Sequence, residues 1–287
     1  MPQARIGVIG GTGLYDIAGL TGIEELDITT PFGRPSGAIT IGNLEGVSVA
    51  FLPRHGKGHR LLPGELPVRA NIYALKSLGV ERIIAVNSAG SFKEEVKPGD
   101  LLIPDQLIDR TRGRVDSFFG EGVVAHIAFA EPFCPVMRTI LFESAASVGA
   151  TVHPRGTYLV MEGPAFSTQA ESRLYRSWGA DIIGMTALPE AKLAREAEIC
   201  YAVIGCVTDY DSWHESTEPV TIDMVISTQR RNVAAAREII RLAAAGMPDK
   251  RDCECAHALG TAIVTPPELI PPQQKKRLKL IIGKYIS

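Results

Sequence analysis

The chain of 287 residues has no apolar run approaching the roughly 18 residues a membrane-spanning helix requires. Residues 199–207 form one of the longest such runs, so no membrane association is expected. An excess of charge is also missing, with 30 Lys and Arg against 32 Asp and Glu. Nucleic-acid surfaces ordinarily concentrate basic residues, and no nucleic-acid partner is expected. A small anionic ligand needs only a few well-placed donors and stays open. Cysteines are few and odd in number, at positions 134, 200, 206, 253 and 255. That usage fits a reducing compartment rather than a disulfide scaffold. The first residues are too short and glycine-rich an apolar stretch for a signal peptide, and a soluble, cytoplasmic protein is the expectation.

No internal repeat or low-complexity linker is found before residue 247. Hydrophobic residues at 45% and charged residues at 22% are values of a globular chain. A chain this long can bury roughly 75% of its unfolded surface, so neither metal nor disulfide is needed to hold it. Apolar segments at 6–9, 47–52, 82–86, 101–103, 158–160, 181–183 and 200–207 read as strands, several covered on both faces. Helices are predicted over 67–78, 168–178, 189–198 and 222–245. Thr168 opens the second with a capping-box pattern, and Gly79 and Gly179 close the first two. Val225, Val233, Ile239, Ile240 and Leu242 mark the apolar stripe of the fourth. Strands alternating with helices imply a parallel or mixed sheet between helical layers.

From Pro248 the composition changes, with two Pro-Pro pairs and a basic run at 275–279. One domain over 1–247 and an extension over 248–287, packing on the domain or on a neighbouring subunit, is the reading. Within the extension Cys253-Glu254-Cys255 is a C-x-C pair. Zinc would need two further soft ligands, and only His257 is close in sequence, so no metal is expected. A disulfide or redox pair and two ordinary thiols both fit.

Six segments carry chemistry. Gly10-Gly11-Thr12-Gly13 follows the first strand and can bring backbone N–H groups to an anion, or simply turn the chain. Pro53-Arg54-His55-Gly56-Lys57-Gly58-His59 gathers four cationic groups behind a strand, as an anion site or a solvated loop. Arg54 would offer phosphate a bidentate fork and His55 a further donor. Asn87-Ser88-Ala89-Gly90-Ser91 ends another strand, where open α/β sheets place their ligands. Glu162-Gly163-Pro164-Ala165-Phe166-Ser167 and Gly184-Met185-Thr186 mark strand-to-helix transitions. Thr208-Asp209-Tyr210-Asp211 places two carboxylates on one side of an extended segment. Like charges raise one pKa and create an acid–base pair, with capping or ion pairing as the alternative.

Together with Ala130-Glu131-Pro132-Phe133-Cys134-Pro135, these segments resemble the S-methyl-5'-thioadenosine phosphorylases of the trimeric purine nucleoside phosphorylase superfamily, over residues 6–247. The resemblance implies an α/β fold, a single domain with a distorted mixed β-sheet flanked by helices, assembled as a homotrimer or a dimer of trimers. It implies phosphorolysis of 5'-methylthioadenosine, with phosphate as co-substrate and no organic cofactor or metal. Thr12, Arg54, His55, Asn87, Ser88 and Thr186 would hold phosphate. Met185 would meet the ribose, Phe166 and Ile183 would line the base pocket, and Asp211 would face the 6-amino group. Asp209 would be the acid at N7 of the purine. His126 would reach the alkylthio end of a neighbouring subunit's substrate, and Ser167 and Ile222 would leave room for the methylthio group.

Relatives acting on 6-oxopurines carry Asn at the first acidic position, so Asp at both favours 6-aminopurines. Asn87-Ser88 stands where many relatives have Thr/Ser-Ala, and Ala165 where a basic or amide residue is common. A subgroup with C-x-C tails includes members with disulfides, which makes Cys134 and Cys200 conceivable partners of the pair. The alternative substrate is another purine nucleoside: adenosine, methylthioinosine or inosine. A nucleotide-binding regulator or reductase built on the glycine-rich turn would leave Arg54-His55 and the acidic pair without a role.

Overall fold

The computed structural model describes residues 3–11, 14, 17–214 and 222–286; between 222 and 231 only the side chains of Ile222 and Thr228 are described. The strands are β1 (Ile6–Gly10), β2 (Thr21–Leu26), β3 (Ile39–Leu44), β4 (Val47–Pro53), β5 (Arg82–Ser91) and β6 (Leu101–Leu102). They continue with β7 (Gln106–Arg110), β8 (Val152–His153), β9 (Thr157–Met161), β10 (Ile182–Gly184) and β11 (Cys200–Tyr210). The longer helices are α1 (Val68–Ser77), α2 (Pro135–Ser147), α3 (Gln169–Ser177), α4 (Ala187–Glu196) and α5 (Ile222–Gly246).

All strands belong to one sheet of order β2-β3-β4-β1-β5-β10-β9-β7, with β11 on β5 and β6, and β8 on β6. β5 organises it. Its first residues pair in parallel with β1 from Ile6↔Arg82 to Ile9↔Ala85, and β11 runs parallel along its whole length. Its last two residues pair antiparallel with β10. The sheet therefore forks at the end of β5, which is the mixed, distorted sheet expected.

Burial explains the centre: every residue of β1 is buried, as is all of β5 except Ser88 and all of β11 except Tyr210. Strands covered on both faces carry no polar alternation. One face is packed by α1 and α4 through Val68, Ile72, Leu75 and Leu193. α2 and α5 cover the other through Met137, Leu141, Ala236, Ile239, Ile240 and Ala243. The Thr168 hydroxyl accepts from the Glu171 N–H at 3.2 Å, completing the capping box read from sequence. No described helix is long and apolar enough to cross a membrane.

Several boundaries differ from expectation. β5 runs on through Asn87–Ser91, because those small residues sit beneath the ends of β10 and β11 instead of turning away. β11 continues to Tyr210 across a register shift between Val207 and Asp209. α2 escaped prediction, its Cys134-Pro135 start offering no polar cap. In α5 the expected Ile239 and Ile240 are fully buried and are joined by Ala236, Ala243 and Ala244, while Val233 and Leu242 are half-buried; the side chain of Val225 lies outside the described residues.

Beyond Pro248 the chain packs on the same body. Ile270, Leu278, Ile281 and Ile282 are buried with α1 and α4. The Arg82 guanidinium donates to the Pro248 and Lys250 carbonyls at 2.9 and 3.1 Å. Within the basic run, Arg277 pairs with Glu121 at 3.0 Å and lies over the Phe32 ring. The expectation that C-x-C has only His257 as a further ligand needs correction. Folding brings Cys134 and Cys200 to the pair, and all four sulfurs lie within 4.8 Å of one another.

Candidate active site

β5 presents Asn87 and Gly90 three residues apart, and the two halves of the site assemble on them. On the first, Arg54 leaves the end of β4 and is 2% exposed. Its Nη2 donates to Asn87 Oδ1 at 3.1 Å, and Asn87 Nδ2 donates to Thr186 Oγ1 at 2.7 Å. Thr186 precedes α4, so three residues assigned to phosphate from sequence form one hydrogen-bonded chain. Ser88 is half-buried next to Asn87 on β5. Thr12 lies outside the described residues.

The fork of Arg54 is not directed as the sequence implied. Nε and Nη2 donate to the two carboxylate oxygens of Glu190 at 2.6 and 3.1 Å, and Nη1 donates to the Val86 carbonyl at 2.9 Å. Glu190 is fully buried in α4 and also accepts from the Tyr201 hydroxyl at 2.9 Å. Burial opposes the guanidinium charge, but Glu190 outweighs it and holds Arg54 above its ordinary value. Burial together with the Glu190 charge pushes Tyr201 well up, which keeps its hydroxyl a donor.

His55 is turned toward its own loop. Its Nδ1–H donates to the Leu61 carbonyl at 2.8 Å, and its ring stacks on His59 at 4.1 Å. Burial lowers it to about 4, against the Leu61 contact and with help from the Arg54 and His59 charges. The neutral ring leaves Nε2 a lone pair, so His55 becomes a phosphate donor only when an anion draws a proton onto it.

Asp209, Asp211 and Ile183 converge on Gly90. A Cβ added there would lie 3.0 Å from Asp209 Oδ1, 3.3 Å from Ile183 Cγ2 and 3.4 Å from Asp211 Cβ. The two carboxylates thus flank one backbone position, on the same side as period-two spacing predicts, despite the bulge before Asp209. Asp209 is 7% exposed and accepts from the Thr208 hydroxyl at 2.6 Å. Burial raises its pKa to about 6; the Thr208 hydroxyl works against this and the Asp211 charge adds to it. Asp211 is also raised by burial, opposed by the Ser172 and Ser167 hydroxyls. Its Oδ2 is buried without a hydrogen-bond partner among the described residues.

Gly90→Ala tests that convergence. The methyl would press on the Asp209 carboxylate and the Ile183 side chain, and misplacement of reacting groups by a fraction of an ångström costs about tenfold or more in rate. We expect kcat/KM to fall by about that factor while the melting temperature moves little, as read by steady-state assay and calorimetry.

Of the other assigned residues, Ile183 reaches Gly90 itself and the Ser167 hydroxyl acts on Asp211. Ile183 is buried and Met185 half-buried, on either side of Gly184. Phe166 is 43% exposed, and Ser167 is buried with its carbonyl accepting from the Ser212 hydroxyl at 2.9 Å. Ile222, at the start of α5, is 61% exposed. His126 is exposed, its backbone N–H donating to the Ala262 carbonyl at 2.9 Å, and no described contact joins it to the aspartates.

Sequence reasoning missed Glu190, Tyr201 and Arg114. The Arg114 side chain is 4% exposed and donates to the carbonyls of Met185, Leu188 and Glu162 at 2.6, 2.8 and 2.6 Å. Its Nε also bonds Glu162 Oε2 at 2.9 Å. Arg114 so stitches the Gly184-Met185-Thr186 segment to the end of β9. An arginine in a polar loop offers no pattern that would reveal this. A cleft of about 540 Å³ lined by Lys76, Glu198 and Lys284 lies elsewhere and holds none of these residues.

A family model described as the phosphorylase superfamily matches residues 5–245. The chain is 56% identical to the S-methyl-5'-thioadenosine phosphorylase of Geobacter sulfurreducens over 282 residues, covering 98% of this chain and 99% of that one. A crystal structure of a methylthioadenosine phosphorylase from an antarctic soil metagenomic library resembles it with a TM-score of 0.94, at 47% identity over 98% of this chain and 99% of the other. A mutant adenosine/methylthioadenosine phosphorylase of Schistosoma mansoni, solved with adenine, gives a TM-score of 0.81 at 38% identity, over 85% and 91%.

Proposed function

Because the chain belongs to the phosphorylase superfamily, and within it to the S-methyl-5'-thioadenosine phosphorylases, we propose that it cleaves 5'-methylthioadenosine with inorganic phosphate, giving adenine and 5-methylthioribose 1-phosphate. The observation that carries this reading is the placing of two raised aspartates over Gly90, beside the Arg54–Asn87–Thr186 chain on the same strand.

Cleavage of an N-glycosidic bond passes through an oxocarbenium-like state, as in glycoside hydrolysis. A phosphate held by Arg54, Asn87, Ser88, Thr186 and the Thr12 loop would sit beneath C1' and stabilise that positive sugar while attacking it. The departing adenine needs a proton at N7. Asp209, raised to about 6, supplies it, with the Thr208 hydroxyl fixing its other oxygen. Asp211 accepts from the 6-amino group through Oδ2. An O6 there would meet a lone pair instead of a donor, which discriminates against 6-oxopurines. Met185 meets the ribose, Phe166 and Ile183 flank the base, and Ser167 and Ile222 border the methylthio group. No organic cofactor enters the reaction.

The domain over 1–247 carries this chemistry and the residues from 248 form an extension. Homotrimers, alone or paired, with His126 supplied to a neighbour's substrate, complete the reading, placed in the cytoplasm; light scattering of the purified protein measures the assembly. An active monomer would remove His126 from the site.

The test compares methylthioadenosine, adenosine, methylthioinosine and inosine, each with and without phosphate. Phosphate-dependent adenine release, with methylthioadenosine preferred, is expected. Adenosine as an equal substrate is the second reading, favoured by the double name of the Schistosoma mansoni relative. Preference for inosine would defeat the role given to Asp211.

A further inference from the structure

We propose that Cys134, Cys200, Cys253 and Cys255 form a tetrathiolate site for a divalent transition-metal ion, zinc above all, that fastens the C-terminal extension to the core. Tetrahedral zinc with Zn–S bonds of about 2.3 Å holds its sulfurs about 3.8 Å apart. Here the Cys134 and Cys253 sulfurs are 3.7 Å apart, those of Cys200 and Cys253 are 3.3 Å apart, and all four lie within 4.8 Å of one another. A disulfide would draw two of them to about 2.05 Å. All four are free thiols, gathered in one cluster within 4.8 Å of one another.

The surroundings suit such an ion. Cys134, Cys200 and Cys255 are buried, and Cys253 is half-buried and provides the way in. Four protein ligands with no open position describe a structural site rather than a catalytic one. Loading converts four thiols to thiolates and releases their protons to solvent, so Zn(Cys)4 carries two net negative charges. Cys134 immediately precedes α2, whose N-terminal dipole favours that charge.

Position separates this site from the chemistry. Cys200 begins β11 and Asp209 lies nine residues along it, about 30 Å at some 3.3 Å per residue. The ion would join the start of α2, the start of β11 and the extension, three segments distant in sequence. Its loss should therefore loosen the residues from Pro248 onward.

The full-length protein, reduced with a non-thiol reductant, is titrated with Co2+ and then with Zn2+. Expected are the intense charge-transfer and visible bands of tetrathiolate cobalt, saturating at about one ion per chain and lost on adding zinc. Zinc should raise the melting temperature by roughly 5 °C or more over the chelator-treated protein. Cys253→Ser/Cys255→Ser should abolish the bands. Because that variant can misfold, reactivity of the native thiols is read as well: zinc should protect four of the five from a thiol reagent. Absence of tetrathiolate bands in the reduced protein, or unprotected thiols at saturating zinc, would overturn the proposal. Cells lysed directly into an alkylating agent supply the last arm. Recovery of these four cysteines as disulfides would overturn it too, and recovery of zinc bound to unoxidised protein would support it.

Discussion

Asp209→Asn should lower kcat for methylthioadenosine by about 10²–10⁴-fold, the usual contribution of a general acid, and change adenine affinity far less. Asn can still donate to N7 from its amide, but it has no proton to give. The pH profile provides a second readout. With Asp209 at about 6 in the free enzyme, kcat/KM should be highest where it is protonated and fall as pH rises through that value. The Asn variant should lack this limb. Unchanged adenine release would remove Asp209 from the acid role.

The same substitution should raise stability. Unfolded Asp ionises near 3.8 and the folded residue at about 6, so ionisation favours the unfolded chain progressively between those values. Below pH 4 the variant and the wild type should be similar. Above pH 6 the variant should gain on the order of 2 kcal/mol by denaturant unfolding. Lower activity combined with higher stability at neutral pH is the signature of a carboxyl group whose ionisation burial opposes.

The second large effect is expected at Glu190, which no sequence pattern marked. Glu190→Ala would strand the Arg54 guanidinium in the core, and breaking a buried pair from one side costs about 3–5 kcal/mol. We expect that loss in equilibrium unfolding, with weaker phosphate saturation because Arg54 no longer holds Asn87 in place. Arg54→Met/Glu190→Leu should recover most of the stability, since apolar replacement of both partners removes the desolvation cost. It should recover none of the phosphate dependence. A single variant as stable as the wild type would show that the pair contributes nothing.

Asp209 and Asp211 were legible because alternation along a strand is local, and the bulge after Val207 did not spoil their convergence on Gly90. The capping box at Thr168 and the positive φ of Gly79 and Gly179 were legible for the same reason. Glu190 and Arg54 stand 136 positions apart, and a glutamate in a short helix reads as a surface residue until its partner is seen. Arg114 bonds to carbonyls, which have no identity in sequence. Cys134 meets Cys253 across 119 positions, so the motif near the C-terminus looked two ligands short.

The sequence by itself determined the alternation of strands and helices, the caps, the family and the residues gathered at the ends of β5 and β11, since each depends on neighbours within a few positions. Only the tertiary structure decided what those residues are chemically. The fork of Arg54 turns to Glu190, His55 is neutral, Asp209 is an acid near 6, and four scattered cysteines face one point. Each of these follows from burial and from contacts between remote segments, which remove water from a charge or supply its partner and have no periodicity along the chain.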